Sequence, residues 1–266
     1  MNRNEKCFCG SGKKYKHCHI DIEENSVIGD LVLLYNKLDN LLKNSKKPAN
    51  CHAGCSNCCY HMFPVPLTEF IYACYGYKKL YGNNSIEAII NKGYNLYMAA
   101  LKSFPKVTEI CKNMESITSM EEYLKYLDSS LLLMEMAKLP CIFLNEETNL
   151  CTIYNYRPSV CRYHGIACFS LEDDTDRIHT CDVIPNGVPI SDLINLDPIY
   201  DEFMEQSFFK SEKYDITMFD SLFPMFYFCY LFFTGKDNFR FKFDLMQKCN
   251  RSDYADGMFE RNRKRI

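Results

Sequence analysis

Two groups of cysteines carry the chemistry available to this sequence. Cys7, Cys9, Cys18 and His19 form a compact run near the start, and Cys51, Cys55, Cys58 and Cys59 form a second. A spaced series, Cys141, Cys151, Cys161, Cys168 and Cys181, supplies thiols that could complete the second group. A thiolate is costly to bury uncompensated, so adjacent thiols mark either a metal site or a disulfide. The start, MNRNEKCFCG, has no apolar h-region, and no secretory signal is expected. The expected compartment is therefore the reducing cytoplasm, where cysteine clusters are more often metal or redox sites than permanent disulfides.

In the first group, two thiols one residue apart precede Gly10-Ser11-Gly12, where glycine permits a sharp turn. Lys13 to His17 then leads back to Cys18 and His19. Three sulfurs and one nitrogen suit a closed tetrahedral Zn2+ site. A run this short has no hydrophobic core, so metal binding and folding are expected to be one event. Nearby lysines favour the thiolate form of the donors. The string CFCGSGKKYKHCH resembles the SEC-C motif, a small metal-binding module found in the SecA translocase and other bacterial proteins. The resemblance implies Cys7, Cys9, Cys18 and His19 as ligands, with His17 a bystander. It also implies zinc or iron, and contact with a protein or ribosomal partner through residues 1–22.

The second group is of another kind. Adjacent cysteines do not easily serve one tetrahedral ion, but they can serve two neighbouring ions or a cluster. Cys141, Cys151 and Cys161 recur at ten-residue intervals. Together the thiols exceed the four ligands of one Zn2+, so a dinuclear zinc site, two zinc sites or an iron–sulfur cluster would use them. Arg157 and Arg162 lie near these cysteines and are expected to offset thiolate charge as outer hydrogen-bond partners. His52, His61, His164 and His179 are alternative ligands, each more readily read as a structural hydrogen-bonder. Cys74, Cys111, Cys229 and Cys249 sit in apolar or helical surroundings and read as small buried hydrophobes. CSNCC at Cys55–Cys59, CIFL at Cys141–Leu144 and CTIYNYRPSVCR at Cys151–Arg162 together resemble the YkgJ family, the CxxCxxCC group of zinc- or iron-chelating proteins. The resemblance spans about residues 50–182, with a helical insert between its halves.

The elements that position these groups follow from periodicity. Val27, Leu31, Leu34, Leu38 and Leu41 predict an amphipathic helix from Ser26 to about Leu42, followed by a polar linker with Pro48. Leu67 to Tyr81 reads as helical, with Thr68 as N-cap and Gly82 as the stop. Ile86, Ile89, Ile90, Tyr94, Tyr97 and Leu101 predict a helix ending before Pro105, and Ser119 with Glu122 forms a capping box before another. Residues 141–144 and 150–154 predict a β-hairpin with a five-residue loop. Pro158 is expected to fix the turn between Tyr154 and Cys161. Asp197-Pro198 is a helix start. Leu222 to Phe233 is too short to span a bilayer and reads as a buried helix. Phe239, Phe241 and Phe243 suggest a strand.

The expected fold is mainly α with a small β-hairpin, a metal-stabilised cysteine-rich core and a small N-terminal metal knuckle. Its expected divisions are the knuckle (1–22), a helix and linker (23–48), the cysteine-cluster domain with its helical insert (49–190) and an aromatic-rich, mainly helical extension (191–266). Apolar residues make up 47% of the chain, enough for a core without disulfides. A net charge of -3 argues against an electrostatic nucleic-acid binder. No P-loop, dinucleotide fingerprint or Ser-His-Asp signature is present. The expected function is metal binding, zinc in the knuckle and zinc, iron or an iron–sulfur cluster in the larger group. The alternatives are an iron–sulfur or S-adenosylmethionine-dependent enzyme resembling the flagellin lysine methylases, and an iron or redox sensor with reactive thiolates.

Overall fold

The computed structural model describes residues 1–43, 54–117, 122, 125–126, 129–130, 137–164, 166, 168–170, 177–179, 193–204 and 222–234. The fold is mostly helical with small sheets. The N-terminal knuckle leads into α1 (Val27–Lys43), whose buried face comprises Val27, Ile28, Leu31, Leu34, Tyr35, Leu38 and Leu42. Ser26 starts this helix, because its hydroxyl accepts the Gly29 N–H at 2.9 Å. A short strand, β1 (Pro64–Val65), precedes α2 (Leu67–Tyr81), which buries Leu67, Phe70, Ile71 and Cys74.

The expected bounds of α2 hold, but its cap does not. Pro66 occupies the N-cap position, and its carbonyl accepts the Phe70 N–H at 3.1 Å. Thr68 lies inside the first turn, with its hydroxyl buried and without a hydrogen-bond partner. A proline cap fixes the entry geometry by its own φ, so no side-chain cap is required. Gly82 ends the helix as expected, at φ 89°.

α3 (Ser85–Ser103) buries Ile86, Ile89, Ile90, Tyr97 and Ala100, whereas Leu101 is 39% exposed and not part of the inner face. α4 (Pro105–Ser116) was not foreseen. Pro105 begins the helix instead of merely ending the previous one, and Val107, Ile110, Cys111 and Met114 are its buried stripe. Of the helix expected after Ser119, Glu122, Lys125, Tyr126, Ser129 and Ser130 are described, all helical. Ser119, and the Tyr123, Leu124, Leu127 and Leu131 expected to follow it on one face, lie outside the described residues.

The hairpin is present but tighter than expected. β2 (Leu144–Asn145) pairs with β3 (Leu150–Cys151), with Leu144 opposite Cys151, so the loop is residues 146–149. A 3-10 turn (Tyr154–Tyr156) and α5 (Ser159–Tyr163) follow, with Pro158 at the α5 N-cap. β4 (Cys168–Ser170) pairs antiparallel with β5 (Arg177–His179) and parallel with β6 (Ile194–Asn195). α6 begins at Asp197 as expected and runs to Met204. β7 (Phe223–Pro224) pairs antiparallel with β1 and opens α7 (Met225–Thr234). The suggested strand at Phe239–Phe243 lies outside the described residues.

α7 is the buried helix that the apolar run predicts, with Phe226, Tyr227, Phe228, Cys229 and Phe232 inside. It packs along α3 through rings, Tyr97 on Tyr230 and Tyr94 on Phe233, each with centroids 3.9 Å apart. Gly93 permits this approach, since a Cβ there would lie 2.3 Å from Cys229 Sγ and 2.4 Å from its Cβ. Leu38 and Leu42 of α1 form a smaller cluster with Leu196 and Ile199. No described helix is long and apolar enough to cross a membrane.

Gly93→Ala is expected to destabilise the protein. Alanine gains about 1 kcal/mol in helix propensity, but forcing α3 from α7 costs about 1–3 kcal/mol and also separates the stacked rings. Urea unfolding should show a lower midpoint with an unchanged slope, and an unchanged midpoint would contradict this packing.

Candidate metal centres

The N-terminal knuckle is built by a tight backbone loop. The Cys7 N–H donates to the Lys13 carbonyl at 2.8 Å and the Tyr15 N–H to the Glu5 carbonyl at 2.9 Å. Gly10 and Gly12 turn the chain between them at φ 75° and 74°. A 3-10 turn, Tyr15–His17, then delivers Cys18 and His19. Tyr15 is buried, and its hydroxyl donates to the Ile22 carbonyl at 2.8 Å.

The four donor atoms all lie within 4.8 Å of one another. His19 Nδ1 is 3.4 Å from Cys7 Sγ and 3.3 Å from Cys18 Sγ, and Cys9 Sγ is 3.5 Å from Cys18 Sγ. Donors placed tetrahedrally at ordinary Zn–S and Zn–N bond lengths are about 3.5–3.8 Å apart. Cys7, Cys9, Cys18 and His19 could therefore hold a metal ion. Burial, and secondarily the Lys79 charge, lower the His19 pKa to about 4, which keeps the imidazole neutral as ligation requires. Burial pushes Cys7 up to about 12. Cys9 is lowered: burial opposes its ionisation, but hydrogen bonds from the Ser11 hydroxyl and backbone, and from Cys18 and Cys7, outweigh it. His17 is exposed and outside the donor set.

Six cysteines of the second group line one cavity of about 230 Å³. Cys55 precedes, and Cys58 and Cys59 lie on, the 3-10 turn Asn57–Tyr60. The Cys141 N–H donates to the Cys59 carbonyl at 2.7 Å, joining the two halves of the cysteine pattern. Cys151 comes from β3 and Cys161 from α5. Among the described residues the knuckle is the group of Cys, His, Asp and Glu donors that converges within 4.8 Å. The six cavity thiols surround a volume instead of a point.

Their electrostatics are unequal. The Cys59 hydrogen bond and the Arg157 charge bring Cys58 down to about 7 against its burial. Its neighbour Cys59 moves the other way, raised by that same bond and by burial. Burial raises Cys141 to about 12, and raises Cys151 and Cys161 as well. Cys58 thus ionises more readily than Cys59, Cys141, Cys151 and Cys161. Arg157 lines it, stacks over the Tyr154 ring at 3.9 Å and opposes the upward shifts of Cys151 and Cys161.

Arg162 has a different task from the one expected. Its Nη1 donates to both Asp39 oxygens at 2.8 and 2.9 Å, Nε to the Arg157 carbonyl at 3.0 Å and Nη2 to the Asn155 carbonyl at 3.0 Å. The guanidinium also lies 4.1 Å over the Tyr35 ring. It ties α1 to the segment between Cys151 and Cys161, and its donors go to oxygen, not sulfur.

The remaining candidates fall elsewhere. His61 lines the cavity and is 2.9 Å from Lys138 Nζ, and His164 packs edge-on against Phe63. Cys168 is in β4, its backbone opposite His179. Cys51, His52, Cys181 and Cys249 lie outside the described residues. Cys74, Cys111 and Cys229 are fully buried in the apolar core. The sequence reading missed the wall that Pro224, Met225 and Phe226 contribute from the start of α7.

The thiol protonation pattern has a measurable consequence. Groups with raised pKa hold protons at neutral pH, and a metal displaces them, so affinity strengthens as pH rises and weakens as it falls. Competition with a chromophoric chelator from about pH 6.5 to about pH 8.5 should show about a tenfold gain per pH unit for each proton displaced. Weakly buffered protein should acidify on adding Zn2+, and a pH-independent affinity would contradict the protonation pattern.

Comparison with known proteins accords with both centres. Residues 3–20 match the SEC-C motif, and residues 50–182, half of the chain, match the family described as "Putative zinc- or iron-chelating domain" (CxxCxxCC). The chain is 84% identical over 19 residues to the protein translocase subunit SecA of Ehrlichia ruminantium, covering 7% of this chain and 2% of that protein. It is 70% identical over 23 residues to SecA of Pseudomonas putida, covering 9% and 2%. It is 34% identical over 56 residues to the methionine aminopeptidase of Chlamydia trachomatis, covering 21% and 19%. The chain thus spans a small fraction of the length of each of these relatives. No solved structure matches it. By residues 50–182, the chain belongs to the CxxCxxCC family, and it carries a SEC-C motif ahead of that domain.

Proposed function

We propose that this protein binds two kinds of metal centre, Zn2+ in the knuckle and Zn2+, iron or an iron–sulfur cluster in the cysteine cavity. The observation that carries the reading is the gathering of Cys55, Cys58, Cys59, Cys141, Cys151 and Cys161, from segments far apart in sequence, around one cavity beside Arg157. Soft thiolates select zinc or iron–sulfur clusters over hard cations. Six donors around a volume of this size suit two ions or a cluster better than one ion with four ligands. Cys51, Cys168 and Cys181 join this ligand set in the proposal on sequence grounds. In the knuckle, Cys7, Cys9, Cys18 and His19 leave no open position, so that metal is structural. A cytoplasmic location accords with ligands that must remain thiols.

The SecA likeness supports a protein or ribosomal contact made by the knuckle. Its exposed cationic edge, Arg3, Lys6, Lys13 and Lys14, is the surface such a partner would meet. A second reading, a cluster-dependent enzyme, is favoured by the apolar cavity walls at Met62, Phe63, Phe143 and Phe226 beside the thiols.

Anaerobic purification, a visible spectrum and elemental analysis test the assignment. Zinc alone in a colourless protein contradicts the cluster-dependent enzyme, and brown protein with iron and sulfide in cluster ratio contradicts an all-zinc cavity. Cys7→Ser combined with Cys9→Ser is expected to remove one metal equivalent at saturating metal and leave the cavity's content intact. Unchanged stoichiometry would contradict the knuckle assignment.

A further inference from the structure

The knuckle is set into the body of the protein. Cys7, Cys9, Tyr15 and Ile22 belong to the same continuous core as α2 and α7. Two side chains of α2 hold it directly. Lys79 Nζ donates to the Cys18 carbonyl, and Tyr72 Oη lies 3.4 Å from His19 Nε2. The His19 ring therefore has two distinct sides. Nδ1 faces the Cys7 and Cys18 thiols, and Nε2 faces the tyrosine. Ligation through Nδ1 places the proton on Nε2, where Tyr72 Oη accepts it, the arrangement that orients a metal-binding histidine and raises its basicity.

Tyr72 also touches a segment that leads into the other centre. Tyr72, Tyr75, Gly76 and Lys79 succeed one another along one stripe of α2. Tyr156 rests on that stripe, its ring centroid 5.4 Å from Tyr72 and 6.1 Å from Tyr75. Gly76 is the seat of this contact, since a Cβ there would lie 2.1 Å from Tyr156 Cγ. Tyr156 immediately precedes Arg157, which lines the cysteine cavity, and the Arg157 carbonyl is fixed by Arg162. One helix face thus carries the histidine of the knuckle and the segment that presents Arg157 and Cys161 to the cavity.

We infer that Tyr72 is a positioning residue for the knuckle metal and that the α2 stripe couples the two centres, so that a loaded knuckle strengthens metal binding in the cavity. The inference rests on the knuckle being a metal site. His19 held by metal fixes Tyr72, and Tyr72 with Gly76 fixes Tyr156 and the chain that follows. Coupling of this kind is reciprocal: the cavity metal strengthens the knuckle by the same factor.

Metal competition on the full chain tests it, with Zn2+ against a chromophoric chelator and Co2+ as the spectroscopic probe. Tyr72→Phe keeps the ring and removes only the hydroxyl, and Lys79→Met alters an exposed anchor without opening the core. Tyr72→Phe is expected to retain full stoichiometry, weaken knuckle affinity about tenfold and shift the knuckle's Co2+ absorption bands, which a purely structural defect would leave in place. Cys7→Ser with Cys9→Ser should weaken the cavity site about fivefold or more, and adding Tyr72→Phe to that background should change the cavity no further. Lys79→Met should weaken both sites in parallel. Knuckle affinity and Co2+ bands unchanged in Tyr72→Phe would overturn the positioning role. Cavity affinity unchanged by loss of the knuckle metal would overturn the coupling. Wild type and Cys7→Ser/Cys9→Ser with equal metal content would instead overturn the metal reading itself, and the inference with it.

Discussion

Six sulfurs around one cavity cannot all carry charge without a cation among them, because each thiolate raises the cost of ionising the next. The protein meets this constraint by burial and by one well-placed guanidinium. The hydrogen bond between Cys58 and Cys59 lowers the pKa of the first and raises that of the second. Cys141, Cys151 and Cys161 are held as neutral thiols by the apolar wall around them. Arg157 is the cation that the pocket itself provides. A bound cation would reverse this balance and let the thiols ionise together, which is why the scaffold must hold them close before any metal arrives.

That scaffold is organised by α2. Its buried residues include Phe70, Ile71 and Cys74, and Phe70 stacks on Phe228 of α7 with centroids 5.1 Å apart. Glu69 on the same helix is fully buried and accepts the Ser159 N–H at 3.1 Å, at the first residue of the helix that bears Cys161. A carboxylate at a helix start meets donors that would otherwise go unpaired. Its pKa is raised by burial against the opposing pull of Ser159, Tyr35 and Arg162. Asp39, Arg162, Glu69 and Ser159 therefore form a polar brace between α1, α2 and the cysteine-bearing segment.

Much of this was legible in the sequence. The knuckle's candidate donors lie within residues 7–19, so their spacing marks the group, and the motif resemblance selects His19 over His17. The hairpin and helices α1 to α3 follow from periodicity because each buries one face. Other features depend on direction or distance that a linear pattern does not encode. Arg162 adjoins Cys161, yet successive helical residues point about 100° apart, and Arg162 reaches Asp39 while Cys161 faces the cavity. α4 was hidden by Pro105, which reads equally as a stop or as a first helical residue; the stripe Val107, Ile110, Cys111 and Met114 would have revealed it. The wall from Met225 and Phe226 has no local signature, because it is created by pairing Pro64–Val65 with Phe223–Pro224 across the length of the chain.

That pairing also orders events during synthesis. The knuckle has all its donors once residue 19 has emerged, but the cavity has no closed wall until residue 226 has. At about 5–20 residues per second, the interval is about 10–40 seconds. Over its last third, after Cys161 has emerged, the six cavity cysteines stand on a nascent chain that still lacks the wall from Pro224, Met225 and Phe226. The strand pair β1–β7 is thus a late clasp, the last piece of the cavity to be synthesised and the one that completes the enclosure of its thiols.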